Sequence, residues 1–482
     1  MTFDSSDFLI FFPVVFAIWL LVRNAQSTLR NGFLLCASYF FYGSWSLPFL
    51  GLLLASTLID FYLGGAIHRA TEPATAKRLV SASVVINLSI LGFFKYFNFF
   101  VDSAVMMLPK DSFLAPTLEV ILPVGISFYT FQSMSYCIDV YRKNIKPADS
   151  LLDFALYVAF FPQLVAGPIE RAANMLPQFV RGPQMSVDKA LDGIDLCIRG
   201  YFKKVVIADN VAPLVNFVFA DVDSASSLTL WIGCYAFAIQ IYADFSAYTD
   251  IARGTAKLLG FELMENFRSP YRSLNVGEFW RRWHISLSTW FRDYLYTPLG
   301  GFNTSKYRQL QSLFLVMALA GLWHGAAWTY VVWGIYHGLL LVLHYVTVPH
   351  IRSFTLKLNK PGKTLFKFCS WLLTFNLVVL SFAMFRAQSY NDMITALTKM
   401  LMDPLADLQR TGLAFLPNAG PGEEAFYLVL IIGALLAQFT DFETRFRTVA
   451  SAGFRGIRGA LSLAFIFILY PTVKEQFIYF QF

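Results

Sequence analysis

Three histidines stand in or beside one membrane-length apolar run, and their chemistry needs an explanation. The stretch that starts at Glu278 reads EFWRRWHISLSTWFRDYLYTPLGG and contains His284. It continues as LFLVMALAGLWHGAAWTYVVWGIYHGLLLVL, which encloses His324 and His337. Ionisable side chains are costly inside a membrane and usually have a function there. We therefore predict that this stretch carries the chemistry and that the rest of the chain holds it across a bilayer.

His324 is the first candidate for a general base. It lies in Gly321-Leu-Trp-His-Gly325, where two small residues four positions apart let another backbone approach closely. The unperturbed pKa of histidine, about 6.5, lets it take a proton near neutral pH. The alternative is a packing histidine that bonds to nearby carbonyls. We favour the functional interpretation, and we expect the adjacent Trp323 to line the same site.

His337 has the same local setting, in Gly334-Ile-Tyr-His-Gly338. In one continuous helix, at 100° per residue, it would lie on a different face from His324. A place in a substrate tunnel and a packing role are therefore both open for His337.

The segment before His284 mixes arginines with aromatic rings. As one helix, it would place four apolar side chains on a single face: Phe279, Trp283, Leu287 and Trp290. That pattern is typical of an amphipathic element at a membrane interface. Arg281 and Arg282 could then be snorkelling anchors in an aromatic belt. Alternatively, they and Trp283 form a vestibule that binds an anionic donor, with His284 facing the reacting centre.

Gln240 and Asp244 lie four residues apart, so they share a helix face. A carboxylate there could orient a histidine or bind a polar substrate, or it could bridge two helices by a hydrogen bond.

The composition indicates a polytopic membrane protein. Of 482 residues, 56% are hydrophobic and only 14% are charged, whereas soluble domains average about 25% charged residues. No polar segment is long enough to form a soluble domain, so we predict a single integral membrane domain over residues 1–482. The net charge of +7 comes from bases in short loops. Such loops fit the positive-inside rule, not a nucleic-acid surface.

Apolar runs predict an all-α fold with about a dozen transmembrane or re-entrant helices. Two runs, 151–168 and 196–220, are short or interrupted and are candidates for re-entrant segments. The runs lie near 8–22, 31–47, 49–66, 80–101, 117–138, 151–168, 196–220, 228–243, 310–323, 326–347, 369–386, 426–440 and 459–473.

The loop charges predict the orientation. Asp4 and Asp7 precede the first run, while Arg23 and Arg30 follow it, so the N-terminus is expected outside the cytoplasm. The acidic connection 387–424 is expected on the same side.

Several chemistries are unsupported by the sequence. There is no G-x-S-x-G nucleophile elbow and no complete P-loop. Histidines and carboxylates show no clear zinc spacing, and the five cysteines are scattered. We therefore predict neither a serine mechanism nor a metal site.

Four stretches of the chain resemble the membrane-bound O-acyltransferase (MBOAT) family, in its bacterial alginate O-acetyltransferase branch. They are EFWRRWHISLSTWFRDYLYTPLGG, which contains His284, GLWHGAAWTYVVWGIYHG, which contains His324 and His337, FFPQLVAGPIER at 160–171 and QIYADFSAYTDIARG at 240–254. The resemblance is nearly full-length. It implies a ring of helices around a thin centre, through which a tunnel connects the two membrane faces. It also implies that His324 is the catalytic histidine and that His284 is a second histidine lining the tunnel.

The resemblance further implies a reaction and partners. The expected donor is cytoplasmic acetyl-CoA, with no bound cofactor. The acetyl group would cross the bacterial inner membrane to periplasmic SGNH-type acetyltransferases and other polysaccharide-modification proteins. These would complete O-acetylation of an exopolysaccharide, with alginate as the expected polymer, and lipid would surround the helices.

The residue chemistry agrees with this reaction. Acyl transfer needs a base at the acceptor hydroxyl and donors for the developing oxyanion. His324 could be the base, and His284 or backbone N–H groups could be the donors. Arg281 and Arg282 could bind the phosphates of coenzyme A, since the planar guanidinium suits them.

Three other functions are open at this stage. A D-alanyl or other acyltransferase of the same family could take its acyl group from a carrier protein. A transporter could move a polar lipid or sugar without chemistry. A non-catalytic scaffold could organise a polysaccharide export complex.

Overall fold

The fold is helical, as the apolar runs predict. A computed structural model describes residues 1–107, 120–402, 420–439, 452–471 and 476–478, and these ranges contain no β-strand. The chain divides into two compact units. The first is Met1–Ile198 with Tyr248–Glu265, and the second is Arg199–Ala247 with Asn266–Phe482.

Eight helices of the described chain begin in the first unit. They are α1 (Ser6–Val22), α2 (Ser27–Gly43), α3 (Leu47–Arg69), α4 (Pro73–Met107), α5 (Ile126–Tyr141), α6 (Leu151–Ala159), α7 (Ala172–Arg181) and α8 (Val187–Tyr201). Ser5 caps the start of α1, because its Oγ accepts a hydrogen bond from the Phe8 N–H. Such a side-chain cap satisfies one of the backbone donors that a helix start leaves unpaired.

The remaining described helices begin in the second unit. They are α9 (Asp209–Ala220), α10 (Ser227–Leu258), α11 (Val276–Arg282), α12 (Ile285–Phe291), α13 (Lys306–His324), α14 (Trp328–Leu356), α15 (Lys360–Arg386), α16 (Tyr390–Met402), α17 (Pro421–Phe439) and α18 (Ala452–Ile468). Asn275, Ser305 and Asn359 cap α11, α13 and α15 through their side chains.

Length and composition allow six helices in the described ranges to cross a membrane. They span Leu47–Arg69, Pro73–Ala104, Ser227–Leu258, Trp328–Leu356, Lys360–Arg386 and Gly422–Phe439. Shorter apolar helices occupy Ser6–Val22 and Gly456–Ile468. These helices confirm the class of polytopic membrane protein. Parts of the predicted runs 117–138, 426–440 and 459–473 and of the connection 387–424 lie outside the described residues.

The run 151–168 is only partly helical. Helix α6 ends at Ala159, and the following residues 160–170 are buried without forming a helix. Side chains satisfy part of this backbone: Ser38 Oγ accepts from the Phe161 N–H at 3.1 Å, and Gln163 donates to the Tyr157 carbonyl at 2.7 Å. Buried irregular backbone needs internal partners of this kind, and a re-entrant role for the run stays a prediction.

The run 196–220 is interrupted as well. A π-helical segment, Phe202–Ala208, separates α8 from α9. Short π-helical segments inside α-helices are rare and occur often at functional sites. This one carries Lys204, whose contacts are described with the site.

A buried carboxylate in the first unit is fully engaged by neighbouring helices. Asp60 of α3 accepts hydrogen bonds from Ser83 Oγ at 2.6 Å and from Asn87 Nδ2 at 2.8 Å, both on α4. The contacts assign Asp60 to helix–helix packing.

Helices α13 and α14 cross at two glycines. A Cβ atom built on Gly321 would lie 2.3 Å from the Tyr330 carbonyl oxygen and 2.8 Å from Gly334 Cα. A Cβ on Gly334 would lie 2.6 Å from the Met317 carbonyl oxygen. Neither position has room for a side chain, so the sequence pattern of small residues marks this crossing.

We predict that Gly321→Ala will destabilise the protein, because the new methyl group must push two backbones apart. Overpacking of this kind costs about 1–3 kcal/mol. Thermal unfolding of the purified protein in detergent would measure the loss. Gly433→Ala is the matched control, since Gly433 lies inside α17 and nothing stands within 4 Å of its Cβ position. Equal unfolding temperatures for the two variants would contradict the proposed close crossing.

Candidate active site

The segment around His284 is two helices, not one. Helix α11 ends at Arg282, and α12 begins at Ile285, because His284 has a φ of 43° in the left-handed region. The predicted single apolar face from Phe279 to Trp290 is therefore wrong. The break turns the backbone at His284, and its side chain is completely buried.

Asn266 fixes the start of α12. Its carbonyl oxygen accepts from the Ile285 N–H at 2.9 Å, and its Oδ1 accepts from the Ser286 N–H at 3.2 Å. A left-handed non-glycine residue persists only where its surroundings hold it in place. These two hydrogen bonds supply such support for His284.

The ring of His284 lies among aromatic side chains. Its centroid is 4.7 Å from Phe245 and 5.9 Å from Trp323. Burial, followed by the nearby His324, lowers the pKa of His284 well below its usual value of 6.5. The ring is therefore neutral at pH 7 and carries one N–H that can donate a hydrogen bond.

His324 is the last residue of α13 and is 7% exposed. Its ring centroid lies 5.0 Å from Trp323, 5.0 Å from Trp333 and 5.4 Å from Phe385. Trp323 contacts the rings of both His284 and His324. The structure thus brings together His284 and His324, two of the three predicted histidines, and Trp323, one of the two predicted tryptophans.

A pocket of about 640 Å³ extends to His324. Its lining includes exposed residues, among them Arg292, Phe302 and Lys306, and also the buried His324. Most of the wall is apolar and comes from α12, α13 and α14. The volume lies within the range of about 300–1,000 Å³ that is usual for small-molecule sites.

Arg281 and Arg282 have different surroundings. Arg281 is exposed and lines the pocket, and no hydrogen bond or ion pair joins it to another described residue. Arg282 is bound to Glu278 through Nε at 3.0 Å and Nη2 at 2.8 Å, and its Nη1 donates to the Arg268 carbonyl. The arrangement leaves Arg281 available for an anion and gives Arg282 a structural contact.

A second, much smaller cavity of about 10 Å³ lies in the same unit. Its lining includes His324, His337 and the predicted residue Trp283, together with Trp333 and Ser381. The chain turns between α13 and α14, so the continuous helix considered for His324 and His337 does not exist. His324 lines both cavities, whereas His337 lines only the smaller one, which we call the inner cavity.

Gln240 and Asp244 are both buried in α10. Asp244 Oδ1 lies 2.9 Å from Lys204 Nζ, and its Oδ2 accepts from the Ile478 N–H at 2.6 Å. Lys204 Nζ is also 2.8 Å from Asp209 Oδ1. Two buried carboxylates therefore share the Lys204 ammonium group. The carboxylate of Asp244 therefore holds helices and the C-terminal segment together.

Several residues of the two cavities were not identified from the sequence, among them His344, Trp333 and Ser381. His344 lines the large pocket, while Trp333 and Ser381 line the small one. A periodic signal for His344 exists, because it follows His337 by seven residues and so lies on the same face of α14. Ser381, on α15, carries no such signal.

The described part of the chain contains no group of three or more histidines, cysteines and carboxylates that could hold a metal ion. The site that the described residues form has histidines beside an apolar pocket with cationic residues in its wall.

We predict that Lys204→Met will destabilise the protein strongly, because two buried carboxylates lose their shared cation. Breaking such a pair costs about 3–5 kcal/mol. Thermal unfolding and the level of the protein in membranes would measure the effect. Lys189→Met is the control: Lys189 lies 3.8 Å from Glu262 with 39% of its side chain exposed, and such pairs contribute about 1 kcal/mol or less. A Lys204→Met protein as stable as the control would contradict the structural assignment of Asp244.

Comparisons with known proteins extend over most of the chain. Residues 84–385 match the family described as MBOAT, membrane-bound O-acyltransferase family. A probable alginate O-acetylase, AlgI, of Azotobacter vinelandii is 38% identical over 459 residues, which cover 92% of this chain and 89% of the relative.

Two further relatives cover somewhat less of the chain. A probable alginate O-acetylase, AlgI, of Pseudomonas aeruginosa is 41% identical over 392 residues, covering 81% of this chain and 72% of the relative. A peptidoglycan O-acetyltransferase of Helicobacter pylori is 37% identical over 395 residues, which cover 76% of this chain and 73% of the relative. His284, His324 and His337 all lie inside the range that matches the family.

Proposed function

The chain belongs to the membrane-bound O-acyltransferase family, in its alginate O-acetylase branch, and from that premise we propose that it takes acetyl from cytoplasmic acetyl-CoA for O-acetylation of an exopolysaccharide. Membership of this family makes the chain an enzyme. It therefore argues against the transporter and scaffold alternatives, in which the chain catalyses no reaction. The observation that carries the proposal is the position of His324, a buried histidine that lines a pocket large enough for a small molecule.

His324 acts as the general base in the proposed reaction. The oxygen of an acceptor hydroxyl attacks the thioester carbonyl carbon, so a C–O bond forms and the C–S bond breaks. The hydroxyl proton passes to His324 and then to the departing thiolate sulfur. Proton transfer by a positioned side chain contributes about 10²–10⁴-fold to such reactions.

His284 stabilises the oxyanion that develops on the carbonyl oxygen. Its neutral ring offers one N–H donor, and a buried donor that is already oriented needs no reorganisation during the reaction. Support comes from the two hydrogen bonds of Asn266, which hold the backbone next to His284.

The large pocket binds the acetyl-CoA arm. Its apolar wall suits the uncharged part of the donor, and Arg281, Lys306 and Arg292 offer positive charge for the phosphates. Arg281 is the strongest candidate of the three, because it has no described ion pair and, unlike Lys306, carries the planar guanidinium that suits phosphates. Arg292, in contrast, lies 2.8 Å from Asp293.

The final acceptor is a glycan outside the cytoplasm. The names of the Azotobacter and Pseudomonas relatives support alginate as the polymer. We place the protein in the bacterial inner membrane with its N-terminus in the periplasm, where SGNH-type acetyltransferases and other polysaccharide-modification proteins take over the acetyl group. The loop charges around the first apolar run support this orientation.

We predict that His324→Ala will remove ester-linked acetate from the secreted polysaccharide, because the acceptor hydroxyl loses its base. Acetate per unit of polymer should fall by about 100-fold or more. The measurement compares cells with matched membrane levels of each protein. His350→Ala is the control, since His350 is an exposed histidine of α14 that lines neither cavity. Normal acetylation by His324→Ala would refute the catalytic assignment.

We also predict that Arg281→Glu will weaken acetyl-CoA binding, because it places a negative charge beside the donor phosphates. Hydrogen bonds to charged groups contribute about 1.5–3 kcal/mol, so the dissociation constant should rise about 10–100-fold. Isothermal titration calorimetry on the purified protein would measure it. Arg308→Glu makes the same charge change at an exposed residue of α13 outside the pocket lining. Equal dissociation constants for both variants would exclude Arg281 as a donor-binding residue.

A further inference from the structure

The small inner cavity is lined in part by polar side chains that the reaction above does not use. Trp333 and His337 line it, with 3% and 1% of their surfaces exposed. Their ring centroids are only 4.7 Å apart. Phe279, Phe382 and Phe385 form much of the remaining wall.

The contacts of Ser381 assign the proton on His337. Ser381 Oγ donates its single hydrogen to the Val378 carbonyl at 2.6 Å. The hydroxyl must therefore accept in its 3.0 Å contact with His337 Nε2. A neutral imidazole carries one proton, so that proton sits on Nε2 and leaves a lone pair on Nδ1.

Two complementary polar atoms beside this cavity lack partners. His337 Nδ1, an acceptor, and Trp333 Nε1, a donor, are buried, and neither forms a hydrogen bond with a described residue. An unsatisfied buried polar group costs about 1–3 kcal/mol. One oxygen that accepts from the indole N–H and donates to the imidazole nitrogen satisfies both atoms.

The size of the cavity limits the ligand to a single oxygen. A volume of about 10 Å³ is close to the minimum of about 10–15 Å³ that one water needs, and a buried water needs two to four polar partners. Acetyl, pantetheine or a sugar ring is too large. We propose that Trp333 and His337 form a binding site for one O–H group, which is water in the resting protein.

The site borders the reacting centre. His324 lines this cavity and also the large pocket, so an O–H group bound here lies beside the candidate base and separate from the donor pocket. An acceptor hydroxyl has the same hydrogen-bonding chemistry as water and is the second source for the bound oxygen. This second source rests on the proposed function, whereas the water does not.

Cryo-electron microscopy of the purified protein, at a resolution that shows ordered waters, tests the site. We expect one density peak at about 2.7–3.2 Å from both Trp333 Nε1 and His337 Nδ1 in protein without acceptor. Trp333→Phe removes the donor and keeps an aromatic ring, so the peak should disappear in that variant. Because wild-type density already tests the proposal, the result does not depend on the folding of the variant.

A second map with an alginate oligosaccharide distinguishes the two sources. A peak in both maps supports the site and its occupation by water in the resting protein. A peak only with the oligosaccharide supports an O–H site that the acceptor hydroxyl fills and overturns the resting water. Well-ordered side chains around an empty cavity in both maps would overturn the site. That result would leave the proposed acyl transfer intact, since the loss of acetate in His324→Ala is measured independently.

Discussion

The close crossing of α13 and α14 is the contact on which the active site depends. Gly321 and Gly334 let the two backbones touch, and the crossing places Trp333 of α14 against His324 at the end of α13. In lipid, helices gain little from the hydrophobic effect and associate through close packing and interhelical hydrogen bonds. Because Gly321 and Gly334 have no side chains, the two helices can come this close, and their crossing determines where the candidate base His324 lies.

Polar side chains hold the irregular parts of each unit. In the first unit, Ser38 and Gln163 satisfy backbone of the buried non-helical segment 160–170. In the second, Lys204 joins the π-helical segment to Asp209 and Asp244. Broken helices expose N–H and C=O groups that water cannot reach, so each break needs polar partners from elsewhere in its unit. The buried polar residues thus stabilise the segments in which the chain departs from straight α-helices.

The sequence predicts the helical class and names several residues that line the two cavities, among them His324, His337 and Trp283. Its failures have physical causes. Apolar runs locate the helices because membrane length and hydrophobicity are properties of local sequence. The apolar pattern from Phe279 to Trp290 predicts one helix, because hydrophobic periodicity gives no sign of the left-handed backbone at His284. Asn266, which lies outside the segment, supports that conformation.

Contacts between distant residues are the other source of error. Glu278 stands four residues before Arg282, so their ion pair has a local signal in the sequence. The pocket beside Arg281 has none, because distant residues of α13 and α14 form most of its wall. Likewise, spacing places Gln240 and Asp244 on one face but cannot show that Lys204 takes the carboxylate. The proton position on His337 depends on Ser381, 44 residues away. Such partners belong to tertiary structure.

The two cavities draw on the chain in different ways. All residues that line the large pocket lie between Gly277 and Pro349, whereas the inner cavity combines Ile241 with residues as far along as Phe385. Five of the ten residues that line the inner cavity lie in the same stretch as the pocket lining: Phe279, Trp283, His324, Trp333 and His337. Single substitutions can therefore vary the pocket wall alone, whereas replacement of the whole stretch would also replace half of the inner cavity, including His324.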